Sequence, residues 1–420
     1  MKKFFWLLGV SSVAFVWVVS NLFAGEIDIL VQKLVEKGIL TPGEAQEIIV
    51  ETKEEIKKEI AMGKHETLPT WLQTIKLKGD FRARYQFTDK KGQEDRHRER
   101  IRLRLGADAM VNEQMKVALG LATMGKSNDP RSTNVTLGQG RDEAAGNPGT
   151  FKDIGLDYAY AEYYPFSWLT LSAGKIKNAL WEPSDLLWDT DINPDGGAIR
   201  LGYKVNSGVE FFMNNMVYVL SESSSDTSDP FMLAFQPGLD WRINDNLNLK
   251  SALSFYYFNS VKNKTKYTHQ ATNTLVGSMY KYDYNVWSPA VELRIKEPFW
   301  GFFPSLAFFG EYVNNPDPED NNQGYAFGLK FGAERIRDKG EWQVTALYTK
   351  LEKDSWLDIF PDSDRYSGRT RMKGYEAIFS YGLGKNTSLG IDYYYTKDLQ
   401  KTGNTYVPEQ LLQIDWNLKF

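Results

Sequence analysis

Near residue 72 the spacing of apolar positions changes from about 3.6 to 2, the periods of a helix and of a strand. The last segment shows the second period most clearly. Leu412, Ile414, Trp416, Leu418 and Phe420 alternate with Gln413, Asp415, Asn417 and Lys419, and the apolar series ends on the terminal residue. At the start of the region Ile75, Leu77, Gly79, Phe81, Ala83, Tyr85 and Phe87 alternate with Lys76, Lys78, Asp80, Arg82, Arg84 and Gln86. Ile101, Leu103 and Leu105 then alternate with Arg100, Arg102 and Arg104. Carried along the chain, the pattern predicts sixteen strands: 73–89, 97–110, 113–123, 154–165, 168–177, 197–205, 208–221, 230–242, 246–259, 284–296, 302–314, 323–335, 341–352, 371–382, 386–397 and 409–420.

The connections alternate in length. Short ones fall at Val111-Asn112, Pro165 to Ser167, Val205 to Ser207, Ile243 to Asp245, near Pro298, at Asp338-Lys339 and at Gly382 to Lys385. The others, at 124–153, 178–196, 222–229, 260–283, 315–322, 353–370 and 398–408, are longer and polar, and only the first, at 90–96, is brief. Strands in lipid must pair every backbone group, which only a closed barrel allows. Such barrels have an apolar outer face, a polar inner face, an even strand number and longer loops at one end. The expected fold is therefore all-β: a closed antiparallel transmembrane β-barrel of about 16 strands, preceded by a short N-terminal α-helical hairpin. A soluble sandwich or solenoid also alternates, but needs neither a polar inner face on strand after strand nor one-sided loops, and no fixed-period repeat is present. Trp168, Trp181, Trp188, Trp287, Trp300, Trp342, Tyr163 and Tyr164 are candidates for the headgroup level.

Upstream, Met1-Lys2-Lys3 followed by the apolar run Phe4 to Val19 reads as a secretory signal peptide over 1–24, cut after Ala24 or after Ser20. A retained anchor is the alternative, and lipidation is excluded by the lack of cysteine. Residues 25–62 read as a periplasmic helical hairpin. Ile27, Leu30, Val31, Leu34 and Val35 share a face, Gly38 suits the residue after a helix end, and Thr41-Pro42-Gly43-Glu44 suits the start of a second helix reaching about Ala61. Residues 63–72 are a linker, and 73–420 the barrel.

Composition narrows the chemistry. The 420-residue chain has no cysteine and three scattered histidines, which leaves no material for thiol chemistry or a histidine-rich metal site. A net charge of −4 gives no support to nucleic-acid binding. No catalytic constellation stands out: Asp142-Glu143 and Asp189/Asp191 lack a nearby histidine, as does Ser223-Ser224-Ser225. Neither an enzyme nor a cofactor or metal site is expected. What does stand out is a basic ladder. If the apolar positions face lipid, Lys76, Lys78, Arg82, Arg84, Arg98, Arg100, Arg102 and Arg104 face the lumen, with Asp80 among them and Asp157 and Asp415 as further inward acids. The ladder favours anions, unless it is a structural array paired with neighbouring acids, which leaves weak or cation preference open.

The chain resembles outer-membrane porins, most closely the family described as putative porins. The resemblance rests on Leu34-Val35-Glu36-Lys37-Gly38-Ile39-Leu40-Thr41-Pro42, on Gly174-Lys175-Ile176-Lys177 with Trp181-Glu182-Pro183-Ser184-Asp185-Leu186-Leu187-Trp188-Asp189-Thr190-Asp191-Ile192-Asn193-Pro194-Asp195-Gly196-Gly197-Ala198, and on the closing Phe420. It implies passive diffusion of small hydrophilic solutes or ions, contact with outer-membrane lipid, and a trimer. It also implies that Leu412, Ile414, Trp416, Leu418 and Phe420 form a signal to the barrel-assembly machinery. The third outer loop of such porins, here 178–196, often folds inward, which would turn Asp185, Asp189, Asp191 and Asp195 toward the basic ladder across an eyelet; the alternative is a solvated lid. Residues 26–62 could instead tether the protein to peptidoglycan or another envelope component, the barrel then being a structural anchor.

Overall fold

The computed structural model describes Val31 and residues 34–35, 40–62, 72, 74–125, 129–140, 148–224, 228–267, 272–301, 303–402 and 405–420. The chain forms two compact units, Met1–Thr74 and Ile75–Phe420. In the first, helix α1 spans Pro42–Met62. It starts with the reciprocal box that its sequence predicts: Thr41 N donates to the Glu44 carboxylate at 2.9 Å, and Glu44 N donates to Thr41 Oγ1 at 3.4 Å. These bonds hold the Glu44 carboxyl below its usual value. Of the expected partner helix, only Val31, Leu34 and Val35 are described, all helical. The remainder of that helix, the 1–24 leader and most of the linker lie outside the described residues, so one helix, not a hairpin, is seen in this unit.

The second unit is a barrel. Its strands are Lys76–Lys90 (β1), Arg96–Asn112 (β2), Met115–Met124 (β3), Asp153–Phe166 (β4), Leu169–Lys175 (β5), Asp195–Lys204 (β6), Val209–Val219 (β7) and Phe231–Arg242 (β8). The second half comprises Leu247–Asn259 (β9), Asn285–Lys296 (β10), Ser305–Asn314 (β11), Gln323–Gly332 (β12), Trp342–Leu351 (β13), Met372–Gly384 (β14), Thr387–Thr402 (β15) and Thr405–Lys419 (β16). Each strand pairs antiparallel with the next, and β16 returns to β1 in a register running from Asp80↔Lys419 to Lys90↔Glu409. The barrel wall is closed and has sixteen strands, and a two-residue strand, Val135–Thr136, from the connection between β3 and β4 also pairs with β2. At the seam Gly79 and Phe420 exchange backbone hydrogen bonds of 2.7 and 3.0 Å. A Cβ at position 79 would stand 2.6 Å from the Phe420 ring, so glycine is what lets the last aromatic residue lie across the join.

Alternation decides which side chains face out. Leu77, Leu105, Ile414, Trp416 and Phe420 are exposed, while Arg84, Gln86, Arg102, Gln413 and Asp415 are buried. A soluble protein has the reverse; here the outer face meets lipid and the polar residues turn inward. Trp168 and Trp287 are exposed at strand ends, and Phe166 stacks on Trp168 at 5.2 Å.

Two expectations fail. The segment 398–408 is not a long loop: β15 continues to Thr402, β16 begins at Thr405, and Lys401 pairs with Tyr406. This hairpin extends past the part of the wall where an apolar outer face is required, so its polar sequence conceals its strands. Trp188 is not at the headgroup level but 3% exposed inside the barrel. Trp181 also belongs to the interior, its backbone N–H donating to Gln236 at 2.7 Å.

Candidate functional site

The basic ladder stands on two adjacent strands, with Arg82 opposite Arg102 and Arg84 opposite Arg100. Like charges opposed across a sheet repel, and acids from three directions offset this. Asp80 accepts from Arg102 and Arg104 at 2.7 and 2.9 Å. Asp415 of β16 pairs with Arg84 at 2.7 Å and Arg82 at 3.3 Å. Asp364, from the long connection 352–371, reaches Arg84 at 3.0 Å. Arg100 donates to Gln86 at 3.0 Å and to Asn134 O at 3.1 Å. Lys78 pairs with Asp108 at 2.6 Å near the short-turn end, and Lys76 is exposed. Arg98 is half-buried, and its Nε has no partner among the described residues.

Residues 176–194, between β5 and β6, cross the interior. Trp181 bonds Gln236 on β8, Tyr256 on β9 donates to Glu182 at 3.1 Å, and Lys330 on β12 donates to Pro183 O at 2.9 Å. Ser184 donates to Glu311 on β11. On the return, Asp191 meets Arg104 at 3.0 Å and Arg102 at 4.0 Å, and Asn193 donates to Asp157 on β4 at 2.6 Å. A segment touching strands as far apart as β2, β4, β8, β9, β11 and β12 can lie only within the barrel.

Of its four candidate acids, Asp191 alone meets the ladder. Asp185 pairs with Arg365 at 2.6 Å. Asp189 is buried and accepts from the backbone N–H of Asp191 and Ser363 at 2.9 and 2.8 Å. Asp195 begins β6, exposed, 3.5 Å from Lys175. Burial, then the neighbouring Asp191, pushes the Asp189 carboxyl well up. Asp364 lies below its usual value because Arg84 and Arg100 outweigh its burial.

A second inward segment, which sequence reasoning took for a solvated loop, completes the site. Residues 352–371 pack Trp356, Leu357 and Phe360 against Leu186, Leu187 and Trp188 of the first segment in one buried cluster. Trp356 Nε1 donates to Leu187 O at 2.7 Å, and the Trp188 and Phe360 rings lie 4.5 Å apart. Arg131, from the connection between β3 and β4, donates to Asp358 O at 3.1 Å and Gly368 O at 2.7 Å. Asp358 accepts from the backbone N–H of Thr272 at 2.6 Å. Arg365, 1% exposed, holds Asp185, Asp362 and Glu376 together. Those three carboxylates could in principle take a metal ion, but the Arg365 guanidinium already stands among them. The missed signal was Trp356-Leu357-Asp358-Ile359-Phe360, too apolar for a solvated loop.

Free volume lies on either side of Asp191. A cavity of about 330 Å³ toward the long loops is lined by Asp191, Thr133 and Asp157. Another, of about 590 Å³ toward the short turns, is lined by Arg102 and Arg104. The Asp191 contact with Arg102 and Arg104 separates them. No catalytic pairing forms at His97, whose Nδ1 is 2.7 Å from the exposed Tyr85 hydroxyl, and His269 lies outside the described residues.

The barrel fold has a counterpart among solved structures. A structure described as the high-pH structure of Pseudomonas putida OprB is similar, with 12% identity, coverage of 83% of this chain and 94% of that chain, and a TM-score of 0.54. A mutant porin of Rhodopseudomonas blastica gives 12% identity, 82% and 100% coverage, and a TM-score of 0.45. No curated protein matches. The sequence pattern of the family described as "Putative porin" matches residues 88–293 and 301–420, most of the barrel, and on that match the chain belongs to this family of outer-membrane β-barrels, which are channel or transport proteins and not enzymes.

Proposed function

We propose that the protein is a diffusion channel for small hydrophilic solutes or ions, anion-preferring, with its eyelet where Asp191 meets Arg102 and Arg104. The observation that carries this reading is the charged inner wall. An arginine or lysine facing the bilayer midplane costs roughly 2–4 kcal/mol, whereas the same side chains are tolerated beside an enclosed water column. The ladder on β1 and β2 carries more cations than the acids that reach it, Asp80, Asp108, Asp191, Asp364 and Asp415, and that local surplus attracts anions. The two inward segments narrow the lumen, and their shared apolar cluster keeps them in place.

The deciding experiment is planar-bilayer conductance with reversal potential under a KCl gradient. Stepwise conductance with a chloride-directed reversal potential supports the reading; folded protein that inserts without conducting refutes it. The same proposal includes cleavage of residues 1–24, trimer assembly, and use of the Leu412-to-Phe420 face as the signal to the assembly machinery. For residues 26–62 we propose an envelope tether, supported by α1 lying in a compact unit of its own. Deleting them should release the protein from peptidoglycan and leave conductance unchanged.

A further inference from the structure

The cavity on the short-turn side of the eyelet is larger than the eyelet requires, at about 590 Å³. Arg82, Arg102 and Arg104 of the ladder form one side of it. Arg335 and Arg337, from the connection 333–341 between β12 and β13, form another. That connection does not run out from the barrel. It folds over the end of β14, where Gly340 N donates to Gly382 O at 2.9 Å, Gly382 N to Glu341 O at 2.8 Å, and Asn386 N to Arg337 O at 2.8 Å. A Cβ at Gly382 would overlap Asp338 O, so the close approach depends on glycine there.

The fold-over adds two arginines to a space already rich in them. Asp80 is the one carboxylate in its lining, and Arg102 and Arg104 engage it. Neither the Arg335 nor the Arg337 guanidinium forms an ion pair or a hydrogen bond among the described residues. The adjacent Glu341 carboxylate accepts instead from the backbone N–H of Arg337 and Asp338, at 2.6 and 2.9 Å. Arg335, with no ion pair of its own, and Arg337, with only the backbone-bound Glu341 carboxylate beside it, therefore face three guanidiniums whose acids are shared. A monovalent anion can meet one of these groups at a time. A solute with two or more negative charges can span from the turn to the ladder, and planar guanidiniums suit the oxygen pairs of carboxylate or phosphate. The volume falls within the roughly 300–1,000 Å³ of small-molecule sites.

We propose that this chamber is a docking site for small multivalent oxyanions, di- or tricarboxylates or phosphates, with Arg335 and Arg337 as its entrance ligands. The inference rests on the channel reading and names the solute class that reading leaves open. The test is citrate added to one side, then the other, of a single wild-type channel in KCl at constant ionic strength. Citrate should block from one side at far lower concentration, because the arginine pair stands at one end. In R335S/R337S the half-blocking concentration from that side should rise about tenfold, as loss of two partly solvated charge-assisted contacts implies, and the sidedness should vanish. Equal block from both sides, or sidedness unchanged in the variant, overturns the proposal. If the protein passes no current in KCl, the channel reading fails by itself. Calorimetric citrate binding to the detergent-solubilised protein then decides the chamber: binding weakened in R335S/R337S upholds it, and equal binding overturns it.

Discussion

Replacing Arg365 by glutamine tests whether the two inward segments are held by buried charge. The guanidinium is 1% exposed and joins Asp185 of one segment, Asp362 of the other and Glu376 of the wall. Removing one partner of a buried ion pair costs about 3–5 kcal/mol, because the remaining charge is left uncompensated. Here three carboxylates would be left within reach of one another. Screening by solvent does not reduce the figure, since the guanidinium has almost no contact with water. The barrel wall keeps its backbone pairing, so the loss falls on the inward segments. A displaced arrangement of residues 352–371 should become more populated by about two to four orders of magnitude. The carboxyls can relieve the repulsion by taking up protons, at about 1.36 kcal/mol per pH unit per group, so the effect should be larger at pH 8 than at pH 5. In single-channel recordings R365Q should be noisy and of higher conductance at pH 8, quieter at pH 5, and readily cut by protease within 352–371. Heat-dependent gel mobility should show an intact barrel. A variant as quiet and as protease-resistant as the native protein at pH 8 would refute the reasoning.

Three further outcomes follow from the same geometry. R102S/R104S removes both partners of Asp191 in the ladder, and the reversal potential under a KCl gradient should move toward potassium; no movement would place the narrow part elsewhere. W356A deletes a side chain with no solvent exposure and should cost about 3–5 kcal/mol of local stability, read as faster hydrogen exchange at residues 185–191. The native protein should also lose order in these segments as pH rises. Burial first, then neighbouring acids, pushes the carboxyls of Asp189, Asp362 and Glu182 well up. A raised folded-state value means a contribution complete below the ordinary carboxylate range and lost as pH climbs through the raised value, so current noise should grow with alkalinity, and noise that falls with alkalinity would contradict it.

The wall was legible because its rule is local. Membrane on one side and a polar interior on the other force a period of two, so Arg102 and Leu103 declare their sides without any partner being known. Strand number and closure followed from that alternation and from loop length. The hairpin at 398–408 was missed where the rule lapses, beyond the part of the wall that must present an apolar face. The inward segments were only half legible, for a different reason. Asp191, with Asp185, Asp189 and Asp195, could be suspected of facing the ladder only through the resemblance to porins whose third loop folds inward. Nothing near Trp356 indicates that it packs 169 residues away against Leu187, and nothing near Asp364 indicates that Arg84, 280 residues distant, is its partner. A tryptophan in a barrel loop can anchor at headgroups or pack inside. Trp188 was assigned to the first and does the second, because the choice is made by Phe360 and Trp356, which its neighbours do not encode.

Filling the interior unevenly has a consequence for selectivity. The apolar cluster of the two inward segments rests on the inward side chains of β6 to β10, among them Met216, Met232, Tyr256, Phe258 and Val286. Nearer the short turns the same strands carry charged, partly exposed side chains, with Lys250 3.9 Å from Asp240. The two cavities described above lie beside the ladder, against β1 to β6 and β14 to β16. A solute in the second of these meets Arg82, Arg102 and Arg104. An ion in that passage feels those charges, and the Asp191 and Asp364 carboxylates that the inward segments bring to them, at close range, where the dielectric is low. The net charge of −4 over the whole chain therefore says little about which ions pass. The packing of Trp188 and Trp356 matters beside the arginines, because it holds in place the two segments whose Asp191 and Asp364 meet the ladder.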